Sequence, residues 1–105
     1  NERVQSGNPI SHGEMSAIQK AGNIDFSGLT MVTTLSPCSM CTGTIELFGF
    51  SKVIIGENVN FKGPEERLKN LTIIQMNNSE CIAMMTQFIS KNLALWNGDI
   101  GIGPG

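Results

Sequence analysis

The sequence predicts an α/β fold in which neighbouring strands of the sheet run parallel. Three short runs of apolar, largely β-branched residues alternate with segments that carry apolar residues at helical spacing. Strands that alternate with helices form parallel sheets, because each helix returns the chain to the same edge of the sheet. A length of 105 residues suits one hydrophobic core, so residues 1–105 are expected to form a single domain.

The first elements are expected in this order. Residues 1–10 have little periodic apolar pattern and are expected to form a loop. A helix is expected from about His12 to Ala21, with Ser11 as its N-cap. The run Leu29–Leu35 is apolar and β-branched, which predicts a buried strand.

The middle of the chain predicts a second helix and a second strand. Ser36 can cap this helix and Pro37 can occupy its first turn, where a missing N–H costs nothing. The helix is expected to end near Gly49. Residues 52–56 predict a second buried strand.

The last part of the chain predicts a short helix around residues 64–69 and a strand at residues 71–74. A long final helix is expected from Ser79, its cap, with apolar residues at helical spacing: Ile82, Met85, Phe88 and Ile89. Cys81 is expected to be a buried structural residue, and the methionines Met84 and Met85 are expected to pack in the core. A Gly-rich tail, residues 98–105, follows.

The composition excludes several classes of protein. Seven basic and nine acidic residues give a net charge of −2, and the basic residues are scattered. A protein that binds nucleic acid usually has a basic face, so a small uncharged substrate is expected instead of a nucleic acid. No apolar run reaches the roughly 20 residues of a membrane span and no signal peptide opens the chain. A cytoplasmic protein with no membrane partner is therefore expected.

Two short motifs carry the candidate chemistry. The chain contains Ser11-His12-Gly13-Glu14 and later Pro37-Cys38-Ser39-Met40-Cys41, a pairing that resembles the H-x-E and P-C-x-x-C signature of zinc deaminases. Cys38 and Cys41 lie about one helical turn apart at a predicted helix start, where the positive end of the helix favours thiolates. With His12 they make three zinc ligands and leave a fourth position open, as in catalytic zinc sites.

Glu14 is the expected proton carrier of such a site. It is poorly spaced to bind the same metal as His12 but can reach an attacking water molecule. It would take the proton of that water and deliver it to a ring nitrogen and then to the departing amine. The product would be a carbonyl in place of an amino group, with ammonia released.

Each motif also has a structural interpretation. Ser11 to Glu14 matches a capping box. The C-x-x-C pair is compatible with redox chemistry or with half of a structural zinc site, and a lone histidine is more often structural than a ligand. The joint occurrence of the motifs at two predicted helix starts favours the deaminase interpretation.

Two longer segments make the resemblance more specific. Thr33–Gly43 and Val53–Phe61, together with Gln87-Phe88-Ile89 and Trp96-Asn97-Gly98-Asp99-Ile100-Gly101, closely resemble fungal-type cytosine deaminases. The resemblance implies a three-layer α/β/α cytidine deaminase-like fold, with a mixed sheet whose C-terminal strands are parallel. It also implies a homodimeric enzyme with one Zn²⁺ per subunit, converting cytosine to uracil in pyrimidine salvage.

The same resemblance implies a set of substrate contacts. Asn1 matches an asparagine that hydrogen-bonds the pyrimidine, and Gly13 matches a backbone N–H donor to the base carbonyl. Asp99 matches a contact to the exocyclic amino group, while Phe61 and Trp96 match aromatic residues that close over the ring. A free base offers only its ring atoms for binding, so stacking and ring hydrogen bonds suit it.

Several alternatives remain open at the level of sequence. A related deaminase of guanine, cytidine or tRNA adenosine would share the zinc motif. Family members have a segment before the position of Asn1, and this chain does not begin with methionine, so it is expected to be truncated at its N-terminus. An inactive zinc-binding fragment is the non-enzyme alternative.

Overall fold

The computed structural model describes residues 1–101, and the last four residues of the Gly-rich tail, 102–105, lie outside the described residues. The described elements in chain order are α1 (Arg3–Ser6), α2 (Gly13–Ala21), β1 (Thr30–Leu35), α3 (Ser39–Leu47), β2 (Lys52–Glu57), a 3₁₀ helix (Glu65–Leu68), β3 (Thr72–Gln75), α4 (Ser79–Lys91) and α5 (Leu93–Asp99). Among these helices, none combines the length and apolar character that a membrane span requires.

The three described strands form one parallel sheet in the order β1-β2-β3. Val32 lies opposite Ile54, and Ile54 lies opposite Ile74, so the rows of side chains run straight across the sheet. Each strand lies within one residue of its predicted limits. The prediction of an α/β fold with parallel C-terminal strands is confirmed.

One face of the sheet holds the hydrophobic core beneath α2 and α3. Side chains alternate between the two faces of a strand, and the buried residues of this core come from residues 26–68. The buried cluster comprises Phe26, Met31, Ile45, Phe50, Val53, Ile55 and Leu68, with Ile18, Leu71 and Ile73 packed against it. This core fixes the two helices whose N-termini carry the motif residues.

The opposite face of the sheet is covered by α4 at the carboxyl end of β2. A Cβ on Gly56 would lie 2.8 Å from Cys81 Sγ, so only glycine allows this close approach of α4. Cys81 is half-buried at this contact and is therefore less enclosed than predicted. The prediction that β1 is a buried strand was wrong: Met31 is buried, but Val32 on the other face is 69% exposed.

The N-caps of three helices differ from the predicted serines. The caps are His12, Cys38 and Asn78 in place of Ser11, Ser36 and Ser79. At α4 the side-chain oxygen of Asn78 accepts a hydrogen bond from the backbone N–H of Cys81 at 3.0 Å. At α2 and α3 the capping positions carry candidate zinc ligands, and neither side chain makes a capping hydrogen bond.

Two helices lie where the sequence predicted none. α1 falls within the predicted N-terminal loop, and the Asn1 side-chain oxygen accepts the backbone N–H of Arg3 there at 3.0 Å. α5 includes Gly98, which the sequence analysis assigned to the Gly-rich tail. Both helices are short, and residues of both line the same cavity.

Gly63 lets the loop after β2 pack against the segment that leads into α3. A Cβ at this position would overlap the carbonyl oxygen of Pro37. The Gly63 N–H donates to Ser36 Oγ at 2.9 Å, and Ser36 Oγ donates to Glu65 Oε2 at 2.6 Å. These contacts hold the backbone directly before Cys38.

We expect Gly63→Ala to lower the free energy of unfolding by about 1–3 kcal/mol, because the added methyl group must displace backbone. Gly43→Ala is the matched control: Gly43 is inside α3, and its added Cβ would meet nothing closer than Arg67 Nη2 at 3.9 Å. That variant should gain about 0.5–1 kcal/mol from helix propensity. Denaturant unfolding measures both changes, and equal effects of the two substitutions would contradict the packing described for Gly63.

Candidate active site

The structure brings together the three predicted ligand side chains. His12 Nδ1 lies 3.5 Å from Cys38 Sγ and 3.8 Å from Cys41 Sγ. The three donor atoms all lie within 4.8 Å of one another. Residues separated by up to 29 positions in the chain thus form one compact donor set.

These distances fit a tetrahedral zinc ion. Zn–N bonds of about 2.0 Å and Zn–S bonds of about 2.3 Å place a nitrogen and a sulfur ligand about 3.5 Å apart in tetrahedral geometry. One nitrogen and two thiolate sulfurs are also donors that zinc prefers. Three protein ligands leave one coordination position open, which is the arrangement of catalytic zinc sites.

Two helix N-termini position the ligands. His12 is the N-cap of α2 and Cys38 is the N-cap of α3, while Cys41 lies in the first turn of α3. The first hydrogen bonds of the helices run from Ser16 N–H to the His12 carbonyl and from Thr42 N–H to the Cys38 carbonyl, both 2.8 Å. The positive end of α3 therefore lies at the Cys38 thiol and favours its ionised form.

The thiols have opposite pKa shifts. The pKa of Cys38 falls to about 4, because its thiolate accepts a hydrogen bond from the Cys41 thiol and a further one from His12. The same hydrogen bond, together with burial, raises the pKa of Cys41 above its usual range. The pKa of His12 is raised, chiefly by its hydrogen bond with Cys38. Cys38 is thus the ionised thiol, while Cys41 retains its proton.

Glu14 lies in the first turn of α2 beside the ligands. Burial is the largest cause of a raised pKa for its carboxyl, and the negative charge at Cys38 adds to it. A carboxyl whose pKa moves toward neutral is suited to accept and return a proton. The location agrees with the proton-carrying role predicted for Glu14.

Asp99 approaches the ligand set from the other end of the chain. Its Oδ1 lies 3.6 Å from His12 Nε2, the ring nitrogen that faces away from the thiols. Arg3 Nε is 3.2 Å from the same oxygen. Neither contact forms a hydrogen bond, and Oδ1 is one of two buried side-chain polar atoms in residues 1–101 without a hydrogen-bond partner.

A cavity of about 510 Å³ opens onto this cluster. Eight of the nine predicted site residues line it: Asn1, His12, Gly13, Glu14, Cys38, Phe61, Trp96 and Asp99. Cys41 is fully buried behind the wall of the cavity. The backbone nitrogen of Asn1 lies close to Gly13, 3.6 Å from the position that a Cβ would occupy.

Aromatic and sulfur-containing side chains form the apolar wall of the cavity. Phe61 and Trp96 meet edge to face, with ring centroids 6.1 Å apart. Trp96 is buried and Phe61 is half-buried. Met85 and Phe88 of α4 also line the cavity. Core packing was predicted for Met84 and Met85, but Met84 is 51% exposed and Met85 faces the cavity. Periodicity shows which face of a helix is apolar but not whether that face meets a core or a cavity.

Glu57 is a supporting residue to which the sequence analysis gave no role. Its fully buried carboxylate accepts hydrogen bonds from the backbone N–H groups of Val59 and Asn60, at 2.7 and 3.0 Å, and from Asn60 Nδ2 at 3.0 Å. These bonds fold the loop that presents Phe61 to the cavity. The run Glu57–Phe61 was part of the resemblance, so a signal was present without a structural explanation.

Comparison with known proteins agrees with this geometry. Residues 1–57 match the model of the cytidine and deoxycytidylate deaminase zinc-binding region. The chain is 48% identical to a cytosine deaminase from Candida albicans, over 96% of this chain and 71% of that protein. It is 37% identical to tRNA-specific adenosine deaminases from Streptococcus pyogenes, over 73% of this chain and about half of those proteins.

The chain belongs to the cytidine and deoxycytidylate deaminase family. The matched region contains His12, Glu14, Cys38 and Cys41, so the donor set is that of a zinc-binding deaminase. The resemblance to fungal-type cytosine deaminases is confirmed by the Candida albicans relative. The roles assigned to individual residues remain predictions.

We expect zinc uptake at neutral pH to release roughly one to two protons per site, because ligands must be deprotonated to bind. Cys41 would supply one and His12 part of another, since the low pKa of Cys38 leaves it already ionised. An indicator dye in weak buffer measures the release when zinc is returned to zinc-depleted protein. Cys81→Ser should release the same number, because Cys81 lies at the contact between α4 and Gly56. Zinc binding without proton release would contradict the assigned ligands.

Proposed function

We propose that this chain is a single zinc-dependent deaminase domain that hydrolyses cytosine to uracil and ammonia. The observation that carries the proposal is the half-buried carboxyl of Glu14 next to the donor set His12, Cys38 and Cys41, within a cavity. A purely structural zinc site is normally closed by four protein ligands. An open three-ligand site with an adjacent proton carrier suits hydrolysis instead.

The chain's own residues supply the proton transfers. Zinc, when bound, would lower the pKa of water so that hydroxide, the nucleophile, is available near neutral pH. Glu14 takes the proton of the attacking water and delivers it to the ring nitrogen of the base. The second proton of the same water passes through this carboxyl to the amino group, the C–N bond breaks, and the amino group leaves as ammonia. The carboxyl ends as it began, and cytosine plus water give uracil plus ammonia.

The walls of the cavity suit a planar base with an exocyclic amino group. Asp99 lines the cavity, and its carboxylate is proposed to accept a hydrogen bond from the amino group of the substrate. Gly13 N–H and Asn1 are proposed to bind the ring edge, and Phe61 and Trp96 to cover its face. The 48% identity to a cytosine deaminase supports cytosine as that base.

The proposal extends to the setting of the enzyme. We propose a homodimer that acts in pyrimidine salvage in the cytoplasm, without a nucleic-acid partner. The net charge of −2 supports a small neutral substrate over a polyanion. Adenosine deamination is the second candidate, because the chain is also similar to tRNA-specific adenosine deaminases. That match covers less of this chain, at lower identity, than the match to the cytosine deaminase.

Glu14→Gln is expected to lower kcat for cytosine by about 100- to 10,000-fold, the usual contribution of general acid–base catalysis. The zinc content should be unchanged, because Glu14 is not in the donor set. Ammonia release from the zinc-loaded protein measures the effect. Glu46→Gln is the control: Glu46 pairs with Arg67 on a half-exposed surface and should keep full activity. Retained activity in Glu14→Gln would refute the proton-carrying role.

Substrate preference is tested by supplying cytosine, cytidine, guanine and adenosine in parallel to the same zinc-loaded protein. Rapid ammonia release from cytosine alone is expected, because the proposed contacts satisfy a free pyrimidine base. Release from adenosine or another substrate instead would leave the roles of Glu14 and the ligands standing and refute the roles of Asn1, Phe61, Trp96 and Asp99. Full zinc content without release from any substrate would favour an inactive zinc-binding protein.

A further inference from the structure

The side chain of Arg3 joins the first and last helices of the described chain. Its Nη1 donates a hydrogen bond to the carbonyl oxygen of Leu95 at 3.2 Å. Its Nε lies 3.2 Å from Asp99 Oδ1. The two partners are four residues apart in α5, so the guanidinium spans one full turn of that helix. The Arg3 and Asp99 side chains are both largely buried, at 22% and 15% exposed.

This contact reaches the metal ligands through a single carboxylate. Asp99 Oδ1 faces Arg3 Nε on one side and His12 Nε2, at 3.6 Å, on the other. A carboxylate beside the outer nitrogen of a metal-binding histidine helps to set the orientation of the ring. Trp96, which covers part of the cavity, lies between the two residues of α5 that Arg3 contacts. The position of Arg3 thus affects the positions of both Asp99 and Trp96.

α5 depends on such external contacts for its position. It has only seven residues, and its N-cap Asn92 makes no side-chain capping hydrogen bond. Helices this short are not stable by their own hydrogen bonds and take their stability from packing. A planar guanidinium with fixed donors is well suited to hold two points of one helix at once.

We propose that Arg3 is a positioning residue that fixes α5, and with it Asp99 and Trp96, relative to the metal site. The Nε contact to Asp99 is an ion pair outside hydrogen-bond geometry, and Oδ1 has no other hydrogen bond. Arg3 therefore holds the Asp99 carboxylate by charge, on the side of Oδ1 away from His12. The role in positioning is independent of the reaction; its kinetic consequence rests on the proposed cytosine deamination.

The test compares Arg3→Ala and Arg3→Lys with the control Arg67→Ala. The control removes the ion pair between Arg67 and Glu46, whose Nη2 and Oε1 atoms lie 2.7 Å apart on a half-exposed surface. Trp96 is the only tryptophan of the sequence, so its fluorescence reports on α5 directly. Acrylamide quenching of Trp96 is measured in zinc-loaded protein without substrate, with zinc content, kcat and KM for cytosine measured on the same samples.

Arg3→Ala is expected to make Trp96 more accessible to acrylamide and to lower kcat/KM by about 10- to 100-fold, the usual cost of losing a group that supports a metal ligand from outside. Most of the loss should lie in KM, with zinc retained. Arg3→Lys should recover part of both effects, because one ammonium supplies the charge but cannot match the fork of donors. Arg67→Ala should change neither quantity.

Unchanged Trp96 quenching in folded Arg3→Ala would overturn the proposal, even if KM rose, because the loss would then come from a direct contact between Arg3 and the substrate. If Arg3→Ala fails to fold, Arg3→Lys carries the test with the same readout. Altered quenching in a protein whose wild type deaminates no offered substrate would support the role of Arg3 and refute the proposed function, so the two failures are distinguishable.

Discussion

The convergence of two helix N-termini on one point is the constraint on which the rest of this structure depends. α2 contributes His12 and Glu14, and α3 contributes Cys38 and Cys41, so the positive ends of both helices face the same small volume. Two such ends repel unless negative charge lies between them. The Cys38 thiolate provides part of that charge. The electrostatics that prepare the thiols for zinc also favour the packing of α2 beside α3.

The surroundings of the site serve to keep this convergence in place. Behind α3, Ser36 Oγ receives the Gly63 N–H and donates to Glu65, which also accepts Asn58 Nδ2 at 3.2 Å. Farther out, the buried carboxylate of Glu57 organises the loop that carries Phe61. Buried polar groups are costly unless they are hydrogen-bonded. The buried Ser36 and Glu57 side chains are bonded to backbone that leads directly to a ligand or to the cavity wall.

The sequence was sufficient to predict the strands and the donor set, but not the details around the site. Strands depend on local runs of apolar, β-branched residues, which the sequence shows directly. The H-x-E and P-C-x-x-C motifs likewise place the metal donors at the helix starts by local spacing. The serine caps failed because tertiary contacts decide them: the Ser36 hydroxyl is engaged by Gly63 and Glu65. The contacts between Arg3 and α5 join residues more than 90 positions apart. No local pattern encodes such a pairing.

This division between local and distant residues also separates metal chemistry from substrate choice. The family model ends at residue 57 and so contains every donor and Glu14, but not Phe61, Trp96 or Asp99. Those three residues line the far wall of the cavity and come from a loop and from α5. The donor set thus comes from the segment that the family model covers, whereas this part of the cavity wall is built from later segments of the chain. On the proposed function, the choice of base depends on this wall together with Asn1 and Gly13, because the donor set and Glu14 act on the attacking water and not on the features that distinguish one base from another.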